Sequence, residues 1–275
     1  MDGAERIDPV LQWHSFLSER TSWLRYGRHD IARCIVFMSA GFFMRVLVVQ
    51  NYDNTGLGQV GAALTEAGAE LDLRRPYQGD ALPDDAATHD AMVVLGGGQN
   101  ALADDDYPYF PALLELTRDF AAKDRAVLGI CLGSQLVARA FGGENQIGGA
   151  NEFGWRGVSL TVDAKSDPVL AALPEKFPIF QWHDDTFVLP ENAVRLAGSA
   201  IAENQAFRIG RAVYGFQFHF EADRPMVRDW STSFASLIAE RHPDWNDRLD
   251  GEMARNGPDA DAAGLAIARA WVATI

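Results

Sequence analysis

The chain has 275 residues, 48% of them hydrophobic and 23% charged, which is enough apolar material for a full core without disulfides or metals. Its formal net charge of −14 is scattered along the sequence, so the surface repels nucleic acid phosphates and anionic membranes, and neither is an expected partner. The two cysteines, Cys34 and Cys131, lie far apart in unlike contexts, which argues against a disulfide framework and for a reducing cytoplasm.

Residues 1–43 carry weak patterning. Their nearest approach to a membrane span, the run from Ile31 to Val49, is interrupted by Arg33 and Arg45, and residues 1–30 are too polar and mixed for a secretory leader. The segment reads as an N-terminal extension, or as sequence upstream of a true start at Met44; an ordinary helical segment packed on the domain is the alternative. From Met44 the pattern sharpens. The β-branched apolar run from Met44 to Gln50 predicts a strand buried on both faces. A helix over 57–68, a strand near 70–74, a strand over 91–95, a helix over 109–123, a strand over 126–130 and a helix over 133–141 follow. This alternation predicts a parallel sheet covered on both faces. From 157 to 218 short strands are separated by Pro, Asn and Gly turns: Val158–Val162, Ile179–Trp182, Val194–Ser199, Ala206–Ile209 and Ala212–Phe218. They predict a mixed or antiparallel extension of the same sheet. Residues 223–240 and 260–273 are helical in pattern. The expected layout is an extension over 1–43, a main domain over 44–240, and a C-terminal helical segment over 241–275 packed on it.

Three motifs carry candidate chemistry. The first, Gly96-Gly97-Gly98, ends a predicted strand and offers backbone amides to an anion; it lacks the Lys and Ser/Thr of a P-loop, and a plain turn is the simpler alternative. The second is Gly129-Ile130-Cys131-Leu132-Gly133-Ser134-Gln135. Here a buried strand runs into a cysteine flanked by glycines at −2 and +2, and a helix follows at once, which is the form of a nucleophile elbow. The new helix points its N-terminal dipole at the sulfur and favours the thiolate. A buried structural cysteine would need neither the glycines nor the change of element. The third is Gln217-Phe218-His219-Phe220-Glu221, where strand alternation puts Gln217, His219 and Glu221 on one side. A thiol needs a base, and the base needs a carboxylate to fix its tautomer; His219 and Glu221 suit those roles. Taken alone, a half-exposed edge strand explains the pair equally well.

Together, in this order, the three motifs resemble the class I (triad) glutamine amidotransferases over roughly residues 44–222. Asn151-Glu152-Phe153-Gly154-Trp155 and Gln181-Trp182-His183-Asp184-Asp185-Thr186-Phe187-Val188-Leu189-Pro190 also resemble segments of that family, with the stand-alone GMP-synthase-like group the nearest in flavour. The resemblance implies a flavodoxin-like α/β three-layer sandwich with a mostly parallel sheet, and glutamine hydrolysis through a γ-glutamyl thioester. It implies Cys131 as nucleophile, His219 as general base and acid, and Glu221 as the orienting carboxylate. The backbone N–H groups of Gly97 and Leu132 are the implied oxyanion hole, and Gln135 lies beside the bound substrate. His183 is expected near the site as a hydrogen-bonded structural residue.

Residues 222–275 are too short for a synthase domain and no pyrophosphatase motif is present, so the ammonia acceptor is expected on a separate synthase subunit. The second enzyme reading is a γ-glutamyl peptidase without such a partner, and the third is a non-catalytic regulatory domain on the same scaffold. No cofactor or metal is expected. The six histidines are dispersed, and Gly56-Leu57-Gly58 lacks the third glycine of a dinucleotide fingerprint.

Overall fold

The computed structural model describes residues 44–275; residues 1–43, with the readings given for them and Cys34, lie outside the described residues. Strand β1 (Arg45–Val49) sends Val46 and Val48 into one apolar core and Leu47 and Val49 into another, as a strand covered on both faces must. Next come α1 (Gly58–Glu66), β2 (Glu70–Arg74), β3 (Ala91–Val94), α2 (Phe110–Ala122), β4 (Ala126–Ile130) and α3 (Leu132–Ala140), with boundaries within two residues of those expected. The second half supplies β5 (Glu144–Gln146), β6 (Glu152–Leu160), β7 (Lys176–His183), β8 (Thr186–Val188), β9 (Ala193–Gly198), β10 (Ala206–Ile209) and β11 (Val213–Phe216). Helices α4 (Arg224–Ser233), α5 (Ala235–Arg241) and α6 (Trp245–Val272) complete it.

The main sheet runs β2-β1-β3-β4-β11-β10-β9-β6-β7. Strands β2, β1, β3, β4 and β11 are mutually parallel, and the joins from β11 through to β7 are antiparallel. The parallel half has the flavodoxin-like order, which reverses direction between β1 and β3, and ligands of such sheets bind beyond the carboxyl ends of the strands. Helices α1 and α6 cover one face through Val60, Leu64, Ile267 and Trp271. Helices α2 and α3 cover the other through Phe110, Leu113, Phe120, Leu132 and Leu136. The fold is the expected three-layer sandwich with an antiparallel extension.

The second half of the chain departs from expectation in four places. The first strand of the sheet's extension begins at Glu152 rather than near 157. Glu152 is polar yet buried, because Ser199 Oγ (2.8 Å) and Gln205 Nε2 (2.5 Å) donate to its carboxylate, so composition disguised a strand. Strand β11 ends at Phe216, short of Phe218. Its neighbours β4 and β10 stop opposite it, at Ile130 and Ala206, and the chain turns away to bridge Phe180 on β7 through His219. Gln217, His219 and Glu221 therefore follow the strand instead of belonging to it. The last helix starts at Trp245, well before 260, and runs through Pro258. An interior proline costs a helix about 3 kcal/mol. Here Met253 before it and Ile267 and Trp271 after it bury against the same core, and that packing outweighs the local loss. The small ribbon of β5 with β8 was not expected from the sequence.

Candidate active site

The end of β4 fixes the candidate nucleophile. Cys131 sits at φ +53°, ψ −112°, one of three non-glycine residues with positive φ among those described, and α3 starts at the next residue. Such a backbone costs on the order of 1–3 kcal/mol and persists only where its surroundings over-determine it. They do so here. The Cys131 N–H donates to Phe216 O (2.8 Å), and the Cys131 carbonyl accepts from Ser134 N (2.9 Å), Ser134 Oγ (2.7 Å) and Gln135 N (3.2 Å). The flanking glycines have steric reasons. A Cβ on Gly129 would stand 2.5 Å from the Gly133 carbonyl oxygen, and one on Gly133 would overlap the carbonyl oxygen of Val94. The glycine spacing thus lets the first turn of α3 press onto β3 and β4. Leu132 is the first residue of that helix, where no preceding turn offers its N–H a carbonyl partner.

The candidate base comes from the other half of the sheet. The His219 N–H donates to Phe180 O (2.8 Å), which pins it to β7. Its ring Nδ1–H donates to Glu221 Oε1 at 2.7 Å, leaving Nε2 for the sulfur side. Burial of the ring disfavours its charged form. The negative charges of Glu221 and Cys131, with hydrogen bonds to both side chains, prevail and hold His219 well above the ordinary imidazole value of 6.5. Glu221 lies behind the ring and is held by α1: its backbone carbonyl accepts from Gln59 N (2.9 Å), and Gln59 Nε2 donates to the neighbouring Phe220 O (2.9 Å). Gly58, at φ +46°, permits this approach, because a Cβ there would overlap the Glu221 carbonyl.

Cys131, His219, Gly97, Leu132 and Gln135 line one cleft of ≈ 380 Å³. The structure therefore brings together every site residue expected from the sequence, with Glu221 one layer behind the cleft. Gln135 is buried and donates from Nε2 to Gln217 Oε1 (3.2 Å). His183 also lines the cleft: its Nδ1 is 2.9 Å from Asp185 O, while its buried Nε2 stands 3.4 Å from Glu152 Oε2 without a hydrogen-bond partner.

Several residues of the site escaped the sequence reading. A Cβ on Gly96 would stand 3.3 Å from His219 Cε1 and 3.4 Å from Cys131 Cβ, so its lack of a side chain keeps the space beside both groups open. Trp230 stands edge-on to the His219 ring at 5.1 Å, and the carbonyl oxygen of Trp182 lies 3.7 Å from Cys131 Sγ. The glycine triplet pointed to Gly96 without distinguishing it from Gly97. Trp182 lies in one of the family-like segments without a role of its own, and for Trp230 no local signal existed, since an aromatic residue in an amphipathic helix reads as core.

A family model described as glutamine amidotransferase class-I matches residues 48–226. The glutamine amidotransferase-like protein YfeJ of Salmonella typhimurium is 34% identical over 57% of this chain and 66% of its own length. A glutamine-hydrolysing GMP synthase subunit from Methanoregula boonei is 29% identical over 64% of this chain and 88% of its own length. Longer bacterial GMP synthases are matched over 38% of their lengths. Among solved structures, a glutamine amidotransferase from Thermotoga maritima superposes with a TM-score of 0.74 at 26% identity, covering 83% of this chain and 98% of that one.

Proposed function

The chain belongs to the class I glutamine amidotransferases, and from that membership we propose that it is a cysteine hydrolase of glutamine or of a related γ-glutamyl amide. The observation that carries this reading is the strained Cys131 at the head of α3, facing an imidazole whose far nitrogen is bonded to Glu221 at 2.7 Å. The proposed reaction has two halves. The Cys131 thiolate attacks the γ-carbonyl carbon, and the carbonyl oxygen takes the negative charge against the N–H groups of Gly97 and Leu132. The C–N bond then breaks, His219 gives its proton to the departing nitrogen, and a γ-glutamyl thioester remains. Water, losing a proton to His219, attacks the thioester and releases glutamate and the thiolate. Gln135 orients the glutamyl portion in this scheme, and Glu221 keeps the His219 proton on the nitrogen facing away from the sulfur.

With glutamine the leaving group is ammonia, and the similarity to a GMP synthase subunit favours a separate partner that consumes it. A peptidase acting alone is the second reading, favoured by a cleft wider than an ammonia leaving group requires. The deciding experiment measures glutamate and amine release from glutamine and from γ-glutamyl dipeptides, with Cys131→Ala as control. The expected result is release by the wild type, lost by at least ~10³-fold in the variant. Equal, slow release by both proteins would remove the hydrolase reading and leave a regulatory role.

A further inference from the structure

The wall of the cleft nearest the proposed proton donor is aromatic. Trp230 stacks edge-on against His219 at 5.1 Å, Trp182 against Trp230 at 5.9 Å, Phe234 against Trp182 at 5.4 Å, and Tyr52 lies 6.1 Å from Phe234. All four line the same cleft as Cys131 and His219, and Tyr52 at the outer end is 42% exposed. The series thus starts at the ring that must protonate the leaving nitrogen and runs out to solvent. Ammonia could make no use of it. Near the mouth Asp184 is paired with Arg241 and bonded to Asn151, while the Asp185 carboxylate accepts the Gly148 N–H at 2.7 Å. A flat apolar leaving amine would meet ring faces and edges along this wall.

We infer that this site takes γ-glutamyl amides of aromatic or arylalkyl amines, with the aryl group laid along Trp230, Trp182, Phe234 and Tyr52. The inference rests on Cys131 and His219 acting as proposed above. The step is balanced as before: the sulfur–carbon bond forms, the bond to the amine nitrogen breaks, the amine leaves with the His219 proton, and water returns the thioester to glutamate and thiolate. Hydrolysis therefore needs no reductant, oxidant or second substrate besides water.

The test compares γ-glutamyl phenethylamide with γ-glutamyl ethylamide. Their leaving amines are of similar basicity, so a difference in rate reports the phenyl ring. The expected result is a kcat/KM at least tenfold higher for the phenethylamide, with that preference falling below threefold in Phe234→Ala; Tyr52→Ala, at a more exposed position, serves should Phe234→Ala fold poorly. Equal turnover of the two amides, or a preference untouched by the wall variants, would overturn the inference while leaving the hydrolase intact. Should neither amide nor glutamine be hydrolysed, the hydrolase reading falls, and binding of the two amides followed by tryptophan fluorescence decides the rest. Tenfold tighter binding of the phenethylamide would uphold the aromatic subsite, and equal binding would overturn it.

Discussion

At Glu221 one negative charge helps to set the pH range over which the proposed proton donor stays charged. His219 is raised well above 6.5 because the charges of Glu221 and Cys131 outweigh its burial. A raised value means that the imidazolium is present at low pH and is lost as pH climbs through the shifted value. Amine departure needs that proton, so activity should fail on the alkaline side. Glu221→Gln keeps an acceptor of similar shape but removes the charge. The alkaline limb of kcat/KM should then move to lower pH and kcat should fall by ~10³-fold, read from a pH–rate profile. An unmoved limb would separate Glu221 from the chemistry. At this scale the sequence was most informative where the motif itself is compact. The glycines at 129 and 133 flank the cysteine closely, and each stands where a side chain would strike backbone, so they mark the elbow. Gly96 and Trp230 lie outside that motif, and only the fold brings them against Cys131 and His219.

At the scale of elements, the elbow is a strand, a strained residue and a helix held together by contact rather than by loop length. Gly133→Ala would drive a methyl into the Val94 carbonyl, and neither β3 nor α3 can give way. The expected cost is about 3 kcal/mol, measured as a lowered urea midpoint. Helix α6 makes a second case. Trp271 is fully buried on the face shared with α1, and Trp271→Ala should cost about 3–5 kcal/mol by the same measurement. Both strand and helix were foreseeable where periodicity was clean, as in β4. The long α6 was not, since Gly251, Gly257 and Pro258 argue locally against a helix that tertiary burial sustains. The end of β11 was hidden for a related reason: Phe216, Phe218 and Phe220 continue the strand pattern, and only the stopping points of β4 and β10 end it.

Across the whole molecule, one sheet carries both halves, joined where β4 pairs with β11 in parallel and β11 with β10 in antiparallel. Residues 44–275 should consequently unfold in one step, with tryptophan fluorescence and far-ultraviolet circular dichroism giving coincident urea midpoints. Two separated midpoints would mean that the halves are only loosely joined. The parallel half was legible because its central strands β1, β3 and β4 are nearly continuous apolar runs. The antiparallel half was blurred by buried polar residues such as Glu152, Gln181 and Gln205, whose partners lie far away in the chain. The bridge from Phe180 to His219 carries a consequence for ancestry. A gene trimmed back to the flavodoxin-like strands would still encode the sharp bend and its sulfur, yet the backbone of His219 would lose its anchor on β7, leaving Glu221 alone to hold the ring. Removal of β6 and β7 should thus weaken the proposed turnover without touching the cysteine, and a scaffold without those strands would be free to drift toward other duties.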